Sequence, residues 1–248
     1  MIHQIVYKLA NGRSSGASMN LRNLALASIT VASMGFSTLA AADTNYLLNL
    51  GNSGLAGTGP YATADVAWVN ATTATVTFDS LSNGGYLYLM GDGGTVAVNV
   101  NAAANGWTFS NVLATNSISG FTPATIVGGL PGNEDGFGSF NQTFNSEKSN
   151  GGQGGFTDAF DQVSFTLHNT SGAWANSDQV LAANDSGWSV AIHGFGCKQP
   201  CSATDGAAFT GFATGGVISA IPEPETYAML LAGLTLLGFG VRRKVGAA

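Results

Sequence analysis

Between Asp43 and Ala220 the chain alternates apolar with small or polar residues in short runs, each ended by a glycine-rich turn. A period of two puts successive side chains on opposite faces of an extended backbone, so these runs read as half-buried β-strands. Val66 with Trp68, then Val76 with Phe78, carry the pattern first. Tyr86–Met90 is a short apolar strand closed by Gly91-Asp92-Gly93-Gly94, and Val96, Val98 and Val100 alternate with Thr95, Ala97 and Asn99. After Asn105-Gly106, Trp107 and Phe109 keep the alternation until Asn111 breaks the parity before Val112-Leu113. These three segments read as a meander with short connections. Residues 156–167, 188–193 and 209–218 supply later strands, and no long amphipathic helix is evident. The expectation is an all-β ectodomain, an antiparallel β-sandwich or jelly roll. The Gly-, Asn- and Ser-rich stretch 129–155 reads as a long surface loop.

Composition excludes two classes. Only 9% of the residues are charged, unlike a typical disordered tail. From Asp43 to Ala220 just two basic residues, Lys148 and Lys198, face twelve acids, a net charge of −10. Such a surface offers no basic stripe to phosphates, so nucleic acid is not an expected partner.

The two ends do not belong to this fold. Residues 1–18 read as an N-terminal extension upstream of a second candidate initiator, Met19. From Met19 come one arginine, an apolar run from Leu24 to Leu39, and Ala40-Ala41-Ala42 before Asp43. A positive start, an apolar stretch and an Ala-x-Ala site make residues 19–42 a secretory signal peptide. Gly12-Arg13-Ser14-Ser15-Gly16 matches the G-x-S-x-G nucleophile pattern, but no strand precedes it and it carries no catalytic expectation. The exported domain is then residues 43–220.

Residues 221–248 hold Pro222-Glu223-Pro224, a single hydrophobic helix over 227–241, and the basic end Arg242-Arg243-Lys244. Fifteen helical residues span roughly 22 Å, short of the roughly 30 Å bilayer core. The basic cluster favours the cytoplasmic side, and the prolines keep the preceding backbone extended for a processing enzyme. This describes a weak, temporary stop-transfer helix beside a readable peptide.

In these residues and their order the tail resembles the PEP-CTERM sorting signal of Gram-negative bacteria. The resemblance implies recognition and removal by exosortase, a membrane-embedded cysteine transpeptidase-like enzyme. Transient residence in the inner membrane would be followed by release to the periplasm, the cell surface or an exopolysaccharide matrix. The same segment is also known as an ice-binding protein C-terminal domain, although nothing in it gives a reason to expect ice binding.

Inside the domain, Phe156-Thr157-Asp158-Ala159-Phe160 stands out. On an extended strand Phe156, Asp158 and Phe160 share a face, leaving a carboxylate between two rings that needs a donor. That donor is a loop backbone or a cation, with local anchoring favoured over metal binding or catalysis. Val163, Phe165 and Leu167 take the opposite parity, which requires a break near Asp161-Gln162. Phe156-x-Asp158-x-Phe160 together with this tail resembles the FxDxF family of PEP-CTERM proteins, which implies no established activity.

Cys197 and Cys201 are the chain's two cysteines, and in an exported protein that spacing favours a small disulfide loop. His168 and His193 read as polar strand-end residues. Gly132-Asn133-Glu134-Asp135-Gly136 offers oxygens to calcium but lacks the alternating ligand pattern, so it reads as solvated loop. Thr73, Thr75 and Thr77 share one strand face, a single row of ordinary β composition. No metal, cofactor or catalytic residue is expected.

The leading reading is a non-enzymatic surface or matrix protein associated with exopolysaccharide, with Tyr61, Trp107 and Trp174 as candidate sugar-stacking rings. A secreted polysaccharide hydrolase is the alternative. It requires two facing carboxylates, for which Asp158 with Asp161, or Glu134 with Asp135, are the close pairs. An ion- or ice-binding face ranks third.

Overall fold

A computed structural model describes residues 43–148, 154–218, 231, 233 and 234. The N-terminal extension, the signal peptide, Pro222-Glu223-Pro224 and Arg242-Arg243-Lys244 lie outside the described residues. Among the described residues no helix is long and apolar enough to cross a membrane.

The first strands are β1 (Thr44–Gly51), β2 (Ala62–Asn70), β3 (Thr73–Ser80), β4 (Ser82–Asn83), β5 (Tyr86–Met90), β6 (Val96–Val98) and β7 (Trp107–Thr115). After them come β8 (Thr125–Gly128), β9 (Gly132–Glu134), β10 (Gly138–Phe140) and β11 (Gln142–Glu147). The last are β12 (Gln162–Asn169), β13 (Val190–Lys198) and β14 (Phe209–Ile218). The all-β antiparallel class is what the alternation calls for. Ala62, Ala64 and Val66 on β2, Ala74, Val76 and Phe78 on β3, and Val163, Phe165 and Leu167 on β12 all point inward and are buried. Antiparallel register sets them opposite one another, with Val66 across from Val76 and Val76 across from Phe165. Phe144 stacks on Phe165 at 4.1 Å within the same core. Burying each of the valine, leucine and phenylalanine side chains contributes about 1.5–3 kcal/mol, and moving a strand by one residue would expose a whole face at once.

One sheet makes both walls of this core. Its strands run in the order β7-β12-β3-β2-β1-β14-β13-β6-β11-β8 and curl until the two ends meet. At the seam Phe109 of β7 lies over Gly128 of β8 and packs edge-on against Phe144 at 5.1 Å. A Cβ on Gly128 would collide with the Phe109 ring, so glycine there lets the sheet nearly close.

Three sequence expectations are corrected and one strand is added. The proposed meander does not form, because β5, β6 and β7 do not pair with one another. β5 and β6 instead lie end to end along β13, Met90 opposite Gly194 and Val96 opposite Ile192. β7 goes to the far edge and pairs with β12. The stretch 129–155 is not a single loop, since it contains β9, β10 and β11. β13 runs to Lys198 rather than ending at His193, and β1 is a strand that the alternation did not announce.

Two small clusters cap the outside of β13. Leu89, Phe121, Ala159, Phe195, Cys197 and Ala203 form one, and Ala97, Phe137, Phe140 and Ala191 form the other. The second anchors the β9–β10 hairpin, which carries Glu134.

Candidate functional site

Opposite His193 the strand formed by β5 and β6 is interrupted by Gly91–Thr95. Gly91 donates its N–H to the His193 carbonyl at 3.1 Å, and the His193 N–H reaches the Gly94 carbonyl at 3.0 Å. Gly94 has φ +68, in the left-handed region open to glycine at no steric cost. Its N–H donates to Asn145 Oδ1 at 2.7 Å. From the other side the Glu134 carboxylate closes on it, so a Cβ at residue 94 would collide with both carboxylate oxygens. Conformation and close approach both require glycine there.

Around this point lies a pocket of about 260 Å³, lined by Gly93, Gly94, Asn133, Glu134, Thr143 and Asn145 among others. A single bound water needs only about 10–15 Å³ on this measure, so the pocket has room for more. Thr143 Oγ1 donates to the Leu130 carbonyl at 2.7 Å, which fixes the β11 side of the wall. Glu134 is 1% exposed, and its Oε2 has no hydrogen-bond partner among the described residues. Burial pushes its carboxyl up to about 8. Glu134 is therefore not part of a solvated loop, contrary to the reading from sequence. Asp135 beside it turns outward, where the Asn52 amide donates to its carbonyl at 3.2 Å and reaches its carboxylate at 3.4 Å.

His193 is also corrected. It stands inside β13, 8% exposed, stacked on Phe212 at 4.5 Å with Nε2 2.9 Å from Thr210 Oγ1. Burial lowers its pKa, against the opposing influence of Asp92 and the Gly91 backbone. His168 lies in β12 with Nε2 2.8 Å from Ser110 Oγ.

The Phe156, Asp158 and Phe160 triad does not share a strand face, because Phe156–Asp158 is a 3₁₀ turn. Phe156 packs in the outer cluster against Phe121 at 5.2 Å, whereas Phe160 is buried in the inner core and pairs with Met90. Between them Asp158 Oδ2 meets Lys148 Nζ at 2.9 Å and accepts the Gly155 N–H at 3.2 Å. The carbonyls of Thr157 and Asp158 accept N–H groups from Thr122 and Ala124, so the turn holds the preceding loop. Asp161 serves a different loop, taking the Ser117 N–H at 2.8 Å. Asp158 and Asp161 thus have separate partners.

Cys197 and Cys201 are disulfide-bonded, Cα to Cα 5.4 Å, at the end of β13. Of the candidate sugar-stacking rings, Tyr61 and Trp174 are core residues at 3% and 2% exposure, and Trp107 packs half-buried against the core. Thr73, Thr75 and Thr77 lie on the outer face of β3, and they are not alone. Thr75 is across from Thr166, which is across from Ser110, and Thr77 is across from Ser164.

The PEP-CTERM protein-sorting motif matches residues 220–244, and that motif implies processing by exosortase and export to the cell envelope or surface. No curated protein and no solved structure matches the chain.

Proposed function

We propose that the domain over residues 43–220 is a non-enzymatic surface or matrix component of a Gram-negative bacterium, of the FxDxF type. It crosses the inner membrane, is held there by its tail, and after exosortase processing adheres to exopolysaccharide. The observation that carries this reading is the hydroxyl-bearing outer face of β3, β12 and β7, with Thr75, Thr166 and Ser110 in register, on a chain with a sorting motif. Such a face can exchange hydrogen bonds with sugar hydroxyls, and it needs no aromatic platform. The partners of Asp158 also support the reading, because a carboxylate tied to Lys148 and the Gly155 N–H serves the fold.

One observation favours a hydrolase as the second reading. Glu134 is a carboxyl kept protonated near neutrality by burial, the state a general acid needs. A hydrolase would add a second carboxylate about 5–9.5 Å away. Sedimentation of the full chain with exopolysaccharide from its own cells separates the readings. Co-sedimentation without new reducing ends is expected. Reducing ends that appear with the wild type and vanish in Glu134→Gln would replace this reading with the hydrolase, and failure to co-sediment would overturn adhesion.

A further inference from the structure

Burying a carboxylate oxygen without a donor is costly, and folds almost always supply one. Asp158 shows the ordinary solution in this protein, with an ammonium and a backbone N–H. Glu134 is more deeply buried and has no such partner among the described residues, although the pocket it lines has polar walls. Those walls are rich in oxygen. Asn145 Oδ1 is fixed 2.7 Å from the Gly94 nitrogen, and the Glu134 carboxylate closes on the same glycine from the opposite strand pair. Two independent oxygen donors are therefore gathered at one residue. Thr143 lies two residues before Asn145 on β11, on the same strand face. Among the described residues no lysine or arginine lines the pocket.

We propose that this pocket is a calcium site, with Glu134 as its carboxylate ligand once calcium displaces its proton and the side-chain oxygens of Asn145 and Thr143 on the facing wall. Hard oxygen donors of this kind suit calcium or magnesium rather than zinc, which prefers nitrogen and sulfur. Calcium is preferred between the two. It accepts six to eight oxygens in irregular geometry, amide oxygens and waters included, whereas magnesium demands a near-ideal octahedron. The pocket's volume leaves space for the waters that complete such a shell. A single carboxylate makes a weak site, in the range of about 10⁻⁴–10⁻³ M typical of extracellular modules. An exported protein with a strongly acidic mature region meets calcium in that range without competing for it inside the cell. The inference stands apart from the adhesion reading and needs no polysaccharide.

The test is calcium titration of the full chain after chelation at pH 8.5, where the Glu134 carboxyl is mostly ionised, followed by calorimetry and by thermal unfolding. One saturable site is expected, raising the melting temperature with calcium and much less with magnesium. Glu134→Gln should abolish the rise, and Asp135→Asn, which removes an exposed neighbouring charge, should leave it intact. A rise that persists in Glu134→Gln, or that is lost equally in Asp135→Asn, would show diffuse binding to surface acids and overturn the proposal. Absence of one-site heat from the wild type at about 10 mM, ten times above that range, would overturn it without any variant.

Discussion

Asp158 has a lysine ammonium at 2.9 Å and a backbone N–H at 3.2 Å, whereas the more deeply buried Glu134 has neither among the described residues. Both acids lie in glycine-rich stretches that look alike in sequence. The 3₁₀ turn at Phe156–Asp158 uses its acid to tie Lys148 and its carbonyls to hold the loop before β8. The β9–β10 hairpin instead presses its acid against Gly94 and a pocket. The difference teaches that an acid satisfied inside the protein serves the fold. An acid left without a partner at comparable or deeper burial marks a place where something else completes the chemistry.

The largest effect that can break this contrast is the pH dependence of stability in calcium-free buffer. An unfolded glutamate titrates near about 4.3, while burial holds the folded Glu134 carboxyl up at about 8. Between those values the folded chain keeps a proton that the unfolded chain has released, so stability falls as pH rises. The contribution is complete below the lower value and lost through the upper one, at no more than about 1.4 kcal/mol per pH unit. His193, with its pKa lowered by burial, acts in the opposite sense below about pH 6.5, so the slope is cleanest above pH 7. Urea unfolding from pH 7 to 8.5 should show wild-type stability declining and Glu134→Gln nearly level. Parallel curves for the two would mean that Glu134 is not protonated in the fold.

A smaller effect sharpens the other half. Asp158→Asn keeps an acceptor for the Gly155 N–H and removes the ion pair with a half-exposed Lys148. It should cost about 0.5–1 kcal/mol in urea unfolding. A loss several times larger would make Asp158 the more critical acid and reverse the comparison.

The inner wall was legible because alternation with period two is all it requires. Val76, Phe78, Val163, Phe165 and Leu167 are inward and buried where their parity puts them. Pairing was not legible. β5 and β6 find their common partner only at β13, roughly a hundred residues later, and nothing local marks that distance. Gly194 and Gly196 hid the second half of β13, because a glycine in a strand shows no apolar face. The same texture disguised the β9–β10 hairpin. Phe137 and Phe140, two aromatics in an otherwise polar stretch, were the available sign that it is anchored to a core. The burial of Glu134 followed from that anchoring and had no signal of its own. The sorting motif was fully legible, since its chemistry is written in consecutive residues.

Intact mass of the protein recovered from its native surface or medium, with and without exosortase, tests the central claim most directly. The account predicts a chain beginning near Asp43 and ending between Pro222 and Thr226, formed only when the enzyme is present. A product that keeps Arg242-Arg243-Lys244 whether or not exosortase is there would contradict it.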